Sequence, residues 1–280
     1  MHVTFKNAPL VEIIAELRWQ PPHFVFQSAQ AEGAPMSPLM PLSMFDASRA
    51  EEFYMRFGGV AYQAGFQRSE RLIPPGFPVQ PGQPVYRYKP VETASNELMR
   101  SALLQVGPGV FTANAIPPYK SWTEFSPIVA RGIDALLHSR DDSEKALPFS
   151  GVSLRYIDAF GPGLRTTRTP SQFIGEVLGF AVSLPGSVAE HSDNLEAVTS
   201  QLQFVIPVRG GMTMSLAVGE GLFNGEAAVI MDTTVSVSGD VPNTAGAVMD
   251  ALNAAREVIH SMFVGATKTI QAEMIPVTEA

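Results

Sequence analysis

The chain contains no cysteine, which excludes disulfides, thiol nucleophiles and thiolate metal sites and suits a reducing compartment. Charge is also scarce: only 16% of residues are Asp, Glu, Lys or Arg, and acidic residues outnumber basic ones by 27 to 19. A net charge of -8 argues against non-specific attachment to nucleic acid or anionic lipid, because both need a basic excess. No apolar run approaches the roughly 20 residues of a membrane span. The opening Met1-His2-Val3-Thr4-Phe5-Lys6 lacks the basic-then-apolar order of a secretory leader. The expectation is a cytoplasmic protein with neither nucleic acid nor membrane as partner.

Chemical signatures are equally sparse. His2, His23, His138, His191 and His260 show no paired helical spacing, so neither a metal nor a cofactor is expected. Gly219-Glu220-Gly221-Leu222-Phe223-Asn224-Gly225 has the wrong glycine spacing for a nucleotide loop and leads into another strand, so it reads as a hairpin turn. No G-x-S-x-G elbow is present. Arg165 and Arg168 form a small basic cluster in a loop, read as solvated.

What the chain does have is apolar material: 45% of its 280 residues are hydrophobic, enough for one large domain or two of ordinary size. Residues 9–19 alternate, with Val11, Ile13, Ala15, Leu17 and Trp19 on one side and Glu12, Glu16 and Arg18 on the other, as a strand requires. A second strand spans 151–160, where Arg155 and Asp158 interrupt an apolar run. Residues 21–45 read as an ordered connection containing proline and methionine, followed by a helix capped by Asp46 and weakened or ended by Gly58-Gly59. The Pro- and Gly-dense stretch 74–90 reads as irregular, with Tyr86-Arg87-Tyr88 as a short edge strand whose aromatics cover apolar surface.

A hairpin is expected at 102–106 and 110–116 around Gly107-Pro108-Gly109, then a helix opened by a capping box at Ser121-Trp122-Thr123-Glu124. Further on come a short helix at 171–179, strands at about 198–208, 211–218 and 226–238, and a closing helix from Asn243 or Thr244 to about Ile270. The fold class is α+β: antiparallel sheets each covered by a long helix, in halves 1–160 and 161–280 that share an order of elements but no matching residues. The boundary lies at 161–170, and one sheet running through both halves stays open as an alternative.

Three segments carry a resemblance: residues 7–18 (Asn7-Ala8-Pro9-Leu10-Val11-Glu12 and onward to Arg18), residues 114–125 around Tyr119 and Trp122, and Val152 to Asp158. Together with the closing helix around Leu252 to Phe263, they resemble a sporadically distributed bacterial family of uncharacterised proteins over nearly the whole chain. Asp158 stands where the resemblance implies Asn, and the Pro-rich stretches before residue 100 are particular to this chain. The resemblance implies no activity and no catalytic residue.

Glu12, Glu16, Asp158 and Asp232 on strands are the groups best suited to acid–base work, and Arg155 is expected to pair with Glu16 or Glu12 across the sheet. Asn114 and Tyr119 mark a second polar and aromatic concentration beside the helix start at Trp122. The reading is a non-catalytic protein- or peptide-binding module, chaperone-like or immunity-like, and a homodimer through an apolar helix face or an edge strand. The alternative is an enzyme or small-ligand binder gathering Arg155, Asp158, Glu12 and Glu16. Convergence of these side chains in one pocket separates the two.

Overall fold

The computed structural model describes residues 3–20, 47–92, 97–119, 121–181, 183–194 and 198–278. The connection expected at 21–45 and the cap at Asp46 lie outside them. In chain order the elements begin with β1 (Val3–Phe5), β2 (Leu10–Arg18), α1 (Ala47–Gln63), β3 (Arg68–Arg71) and β4 (Tyr86–Lys89). Then come α2 (Glu97–Arg100), the hairpin β5 (Ala102–Gly107) and β6 (Val110–Ala115), α3 (Trp122–Ser139), α4 (Asp142–Lys145) and β7 (Phe149–Phe160). The short helices α5 (Pro162–Arg165), α6 (Pro170–Glu176) and α7 (Gly186–Ala189) precede β8 (Gln201–Val208), β9 (Met212–Phe223) and β10 (Glu226–Val241). The long helix α8 (Ala245–Ala266), α9 (Gln271–Met274) and β11 (Pro276–Thr278) complete the order.

The architecture is α+β. Nine strands form one antiparallel sheet in the order β3-β4-β5-β6-β2-β7-β10-β9-β8, while β1 pairs with β11 in a separate ribbon. The β7–β10 ladder joins strands from residues before and after 161, so both parts of the chain share this sheet.

Strand parity decides which side chains meet the helices. Ile13, Ala15 and Leu17 of β2, Leu104 and Val106 of β5, Phe111 and Ala113 of β6, and Val152 and Leu154 of β7 are all buried in one core. Facing them are Phe53 and Phe57 of α1, Phe125, Val129 and Ile133 of α3, and Val248, Leu252, Ala255 and Ile259 of α8. The same sheet face continues under α6 and α9 as a second cluster around Phe160, Phe173, Val218, Met231 and Met274. Each fully buried large aliphatic or aromatic side chain contributes about 1.5–3 kcal/mol, so this face holds the molecule together.

At the start of α3 the serine half of the expected capping box is present, Ser121 Oγ accepting from the Glu124 amide at 3.4 Å, and at the start of α8 Thr244 Oγ1 accepts from the Ala247 amide at 3.2 Å. Helix α1, however, runs through Gly58-Gly59 to Gln63. A Cβ on Gly58 would stand 3.0 Å from the Tyr88 ring, whose hydroxyl donates to the Tyr54 carbonyl at 2.8 Å. The glycine makes room for a packed aromatic instead of ending the helix. β4 is likewise no edge strand, because Arg68–Arg71 pairs beyond it. Residues before β4 lie against the sheet end, with Val85 buried and the Gly82 amide donating to the Pro108 carbonyl at 2.7 Å.

Residues after Met274 have no helical period in the sequence and contain Pro276, which suits no continuation of the helix. Instead Val277 sits opposite Thr4 in the β1–β11 ribbon, and the Thr4 hydroxyl donates to the Val277 carbonyl at 3.4 Å. The β9–β10 connection is the expected hairpin turn, with Asn224 and Gly225 both at positive φ, 53° and 81°.

Candidate functional site

The helices gather on one side of the sheet, leaving a polar face on the other. There a broad groove of about 540 Å³ is floored by strand residues, among them Glu16, Asn114, Arg155 and Asp232. Arg155 makes a bidentate pair with Asp232, its Nε donating to Oδ1 at 2.8 Å and its second nitrogen to Oδ2. This corrects the expected pairing with Glu16 or Glu12. Register is the reason: Thr234 lies directly opposite Arg155 on β10 and Asp232 two residues along the same face, whereas β2 presents Ile14. Hydrogen bonding to Asp232 raises the Arg155 pKa, with smaller contributions from Glu12 and Glu16.

Glu12 and Glu16 have other partners. Glu16 accepts from Arg18 Nε at 2.6 Å on its own strand. Glu12 ends a directed chain across four strands: with the Gln105 amide oriented to satisfy both neighbours, Arg87 donates to Gln105, and Gln105 to the Thr112 hydroxyl. The Thr112 hydroxyl then donates to Asn114 Oδ1 at 2.8 Å, and Asn114 Nδ2 to Glu12 Oε1 at 2.8 Å. Asn114 and Thr112 are buried, so this network fixes their orientation.

Asp158 and Tyr119 sit on the helix side of the sheet. Arg155 and Asp158 are three residues apart, so their side chains project from opposite faces. A β-bulge in the β2–β7 pairing sets Leu10 against Asp158 and Glu12 against Ile157, turning Leu10 into the helix side although Leu10 and Glu12 share parity. The result is a recess of about 80 Å³ between β1, β7, the loop before α3, and α8. Its polar lining comes from Tyr119, Tyr156, Asp158, Arg256 and His260, and its apolar walls include Phe5, Trp122 and Phe263.

Within the recess Asp158 is 4% exposed, and among the described residues its carboxyl accepts no hydrogen bond and joins no ion pair. Burial, then the nearby Asp232, push its pKa up to about 8. Burial also raises both tyrosines, Tyr156 to about 12, and a hydrogen bond couples their hydroxyls. Trp122 Nε1 donates to Asn253 Oδ1 at 2.7 Å, tying α3 to α8 at the wall.

The expected set Arg155, Asp158, Glu12 and Glu16 therefore does not converge in one pocket. Arg165 is buried, donating to the carbonyls of Arg168 and Ala227 at 2.7 and 3.0 Å, and Arg168 pairs with Glu176 at 3.4 Å, which corrects the solvated-loop reading. Among the described residues, no group of three His, Cys, Asp or Glu is placed to hold a metal ion. Nor is any helix of the described residues long and apolar enough to cross a membrane.

A third feature escaped the sequence reading. Strand β8 forms one edge of the sheet and, among the described residues, pairs with β9 alone. It is eight residues long, and Phe204, Val205 and Ile206 are exposed, Val205 by 69%. The opposite edge, β3, is only four residues, Arg68-Ser69-Glu70-Arg71. The sequence signal was present in Gln201-Leu202-Gln203-Phe204-Val205-Ile206, which is apolar on both parities near its end and so fits no one-sided strand.

Compared with protein families, curated proteins and solved structures, the chain matches none.

Proposed function

We propose that this protein is a non-catalytic protein- or peptide-binding module, chaperone-like or immunity-like in kind, that adds a strand of its partner to β8. The observation that carries the reading is the contrast between the two sheet edges. Natural proteins blunt exposed edges with shortness and charge, and β3 has both. β8 is twice as long and presents apolar side chains beside backbone donors and acceptors that no strand of the described residues pairs. Strand addition draws affinity from the backbone ladder and specificity from alternate side chains. Pro207 lacks an N–H and limits the usable ladder to the residues before it.

Separation of Arg155, Glu12 and Glu16 from Asp158 supports binding over catalysis. A second copy is one partner that fits, because β8 can pair antiparallel with itself about a twofold axis. The cysteine-free composition supports a cytoplasmic setting.

The test is selection of extended peptides from a random library, followed by hydrogen exchange on the complexes. Binding should protect the amides of residues 201–206, and Val205→Lys should abolish it without lowering the melting temperature. Peptides that bind with β8 unprotected, or a protein that selects none and also stays monomeric at every concentration, would defeat the reading.

A further inference from the structure

The two faces of β8 differ in chemistry, and a strand laid beside it meets both. Leu202, Phe204 and Ile206 stand opposite Val218, Leu216 and Met214 of β9, all three buried under the helices. The apolar layer of the sheet therefore runs out to the edge on that side, where Phe204 and Ile206 are each still 37% exposed. Gln201 and Gln203 project the other way, onto the polar face, and Gln203 lines the same groove as Arg155 and Asp232. Opposite these two, β9 has only Gly219 and Ala217, too small to cover either amide.

The helix side also carries a ring that β8 does not itself supply. After α6, Gly179 at φ 78° turns the chain, and the Phe180 amide donates to the Ile174 carbonyl at 3.0 Å. Phe180 is thereby laid along Phe204, with ring centroids 5.4 Å apart and planes within 22°. Leu202 and Phe180 pack on the cluster beneath, around Phe173 and Val218. Three strand side chains and one added ring make an apolar shelf for alternate residues of a neighbouring strand. The groove side differs, because Val205, opposite Ser215, sets methyl groups beside the amide of Gln203.

Resting on the strand-addition reading, we propose that β8 selects an amphipathic strand. Its large apolar side chains lie at alternate positions over the shelf of Leu202, Phe204, Ile206 and Phe180, and β-branched hydroxyl residues, threonine above all, take the groove side. Opposite residues of an antiparallel pair share a face, so each position of the incoming strand answers to one neighbour. An apolar residue on the helix side continues a layer already dry at Val218 and Leu216. On the groove side the same residue would strip water from the amides of Gln201 and Gln203 without replacing the hydrogen bonds. Threonine meets both neighbours there, its methyl against Val205 and its hydroxyl against Gln203.

The experiment uses the intact protein and two labelled octapeptides of one composition, the first alternating valine with threonine, the second a block of valines followed by a block of threonines. Fluorescence anisotropy gives the affinities, and hydrogen exchange shows whether the amides of residues 201–206 are protected. Matched pairs on both faces should favour the alternating peptide by about tenfold. Disulfide capture reads the face, since the cysteine-free chain takes a single thiol at a chosen position. With one valine of the alternating peptide replaced by cysteine, Ile206→Cys should be captured and Gln203→Cys should not; with one threonine replaced, the order should reverse. Equal affinities with β8 protected, or capture of the valine position by Gln203→Cys, would overturn the selection and leave strand addition standing. Should neither octapeptide bind while library peptides still protect β8, the selection falls alone. If no peptide of any pattern protects β8, both fall.

Discussion

Asp158 and Arg155 illustrate how three residues of spacing place charge in opposite environments. The folded protein keeps the Asp158 proton up to about pH 8, whereas the unfolded chain releases it near the ordinary 3.8. Stability from this group is fully present below about pH 4 and is lost as pH rises through about 8, by up to about 6 kcal/mol in all. Asp158→Asn should therefore flatten the fall in melting temperature between pH 4 and 8, and it should be the more stable protein at pH 8. Arg155 differs. Its side chain is 43% exposed, so Arg155→Met should cost no more than about 1 kcal/mol by chemical denaturation, despite the bidentate geometry. Arg140 is the costly arginine: it is 1% exposed, donates to Asn243 and the Glu144 carbonyl, and lies over the rings of Trp19 and Phe149 at 5.2 and 4.8 Å. Lysine cannot reproduce that planar fork, so Arg140→Lys should lose about 2–4 kcal/mol.

Elements with strong local patterning were readable from the residues. Helix α3 announced itself through Ser121 and its apolar stripe, α8 through Thr244 and the series Val248, Leu252, Ala255, Ile259, and the β5–β6 hairpin through Gly107 to Gly109. Those defined by distant partners were not. Arg68–Arg71 has no apolar alternation, and its status as a strand comes only from Tyr86–Lys89 beside it. β1 and β11 are three residues each and exist through one another. At the candidate site, parity alone could have parted Arg155 from Asp158, but the register that gives Arg155 to Asp232 and the bulge beside Leu10 depend on which strands become neighbours. Two truncations test this level. Ending the chain at Asn243 removes α8 and its buried face, and cooperative melting followed by circular dichroism should vanish. Ending it at Ile275 removes only β11 and should lower stability by about 1–2 kcal/mol, loosening Phe5 at the recess.

At the scale of the whole molecule, one face of the sheet is committed to the core and one long edge is not. Low charge and an apolar β8 point to self-association in the absence of another partner. Light scattering should therefore show a concentration-dependent dimer, and Val205→Lys should return the monomer mass. Alternatively, a dimer that survives Val205→Lys would place the contact on a helix face and separate self-association from strand addition.

The position of β2 also bears on how the chain comes to be folded at all. Of the nine-stranded sheet, the strand made first is the fifth in spatial order, flanked by β6 and β7. During synthesis at about 5–20 residues per second, residues 10–18 wait on the order of 5–20 s for β6 and longer for β7. Throughout that interval Ile13, Leu17 and Trp19 have no native sheet to enter, and the growing chain carries an apolar strand with both edges open. Slowing translation between residues 20 and 110 should therefore raise the fraction lost to aggregation, whereas slowing it after residue 160 should not.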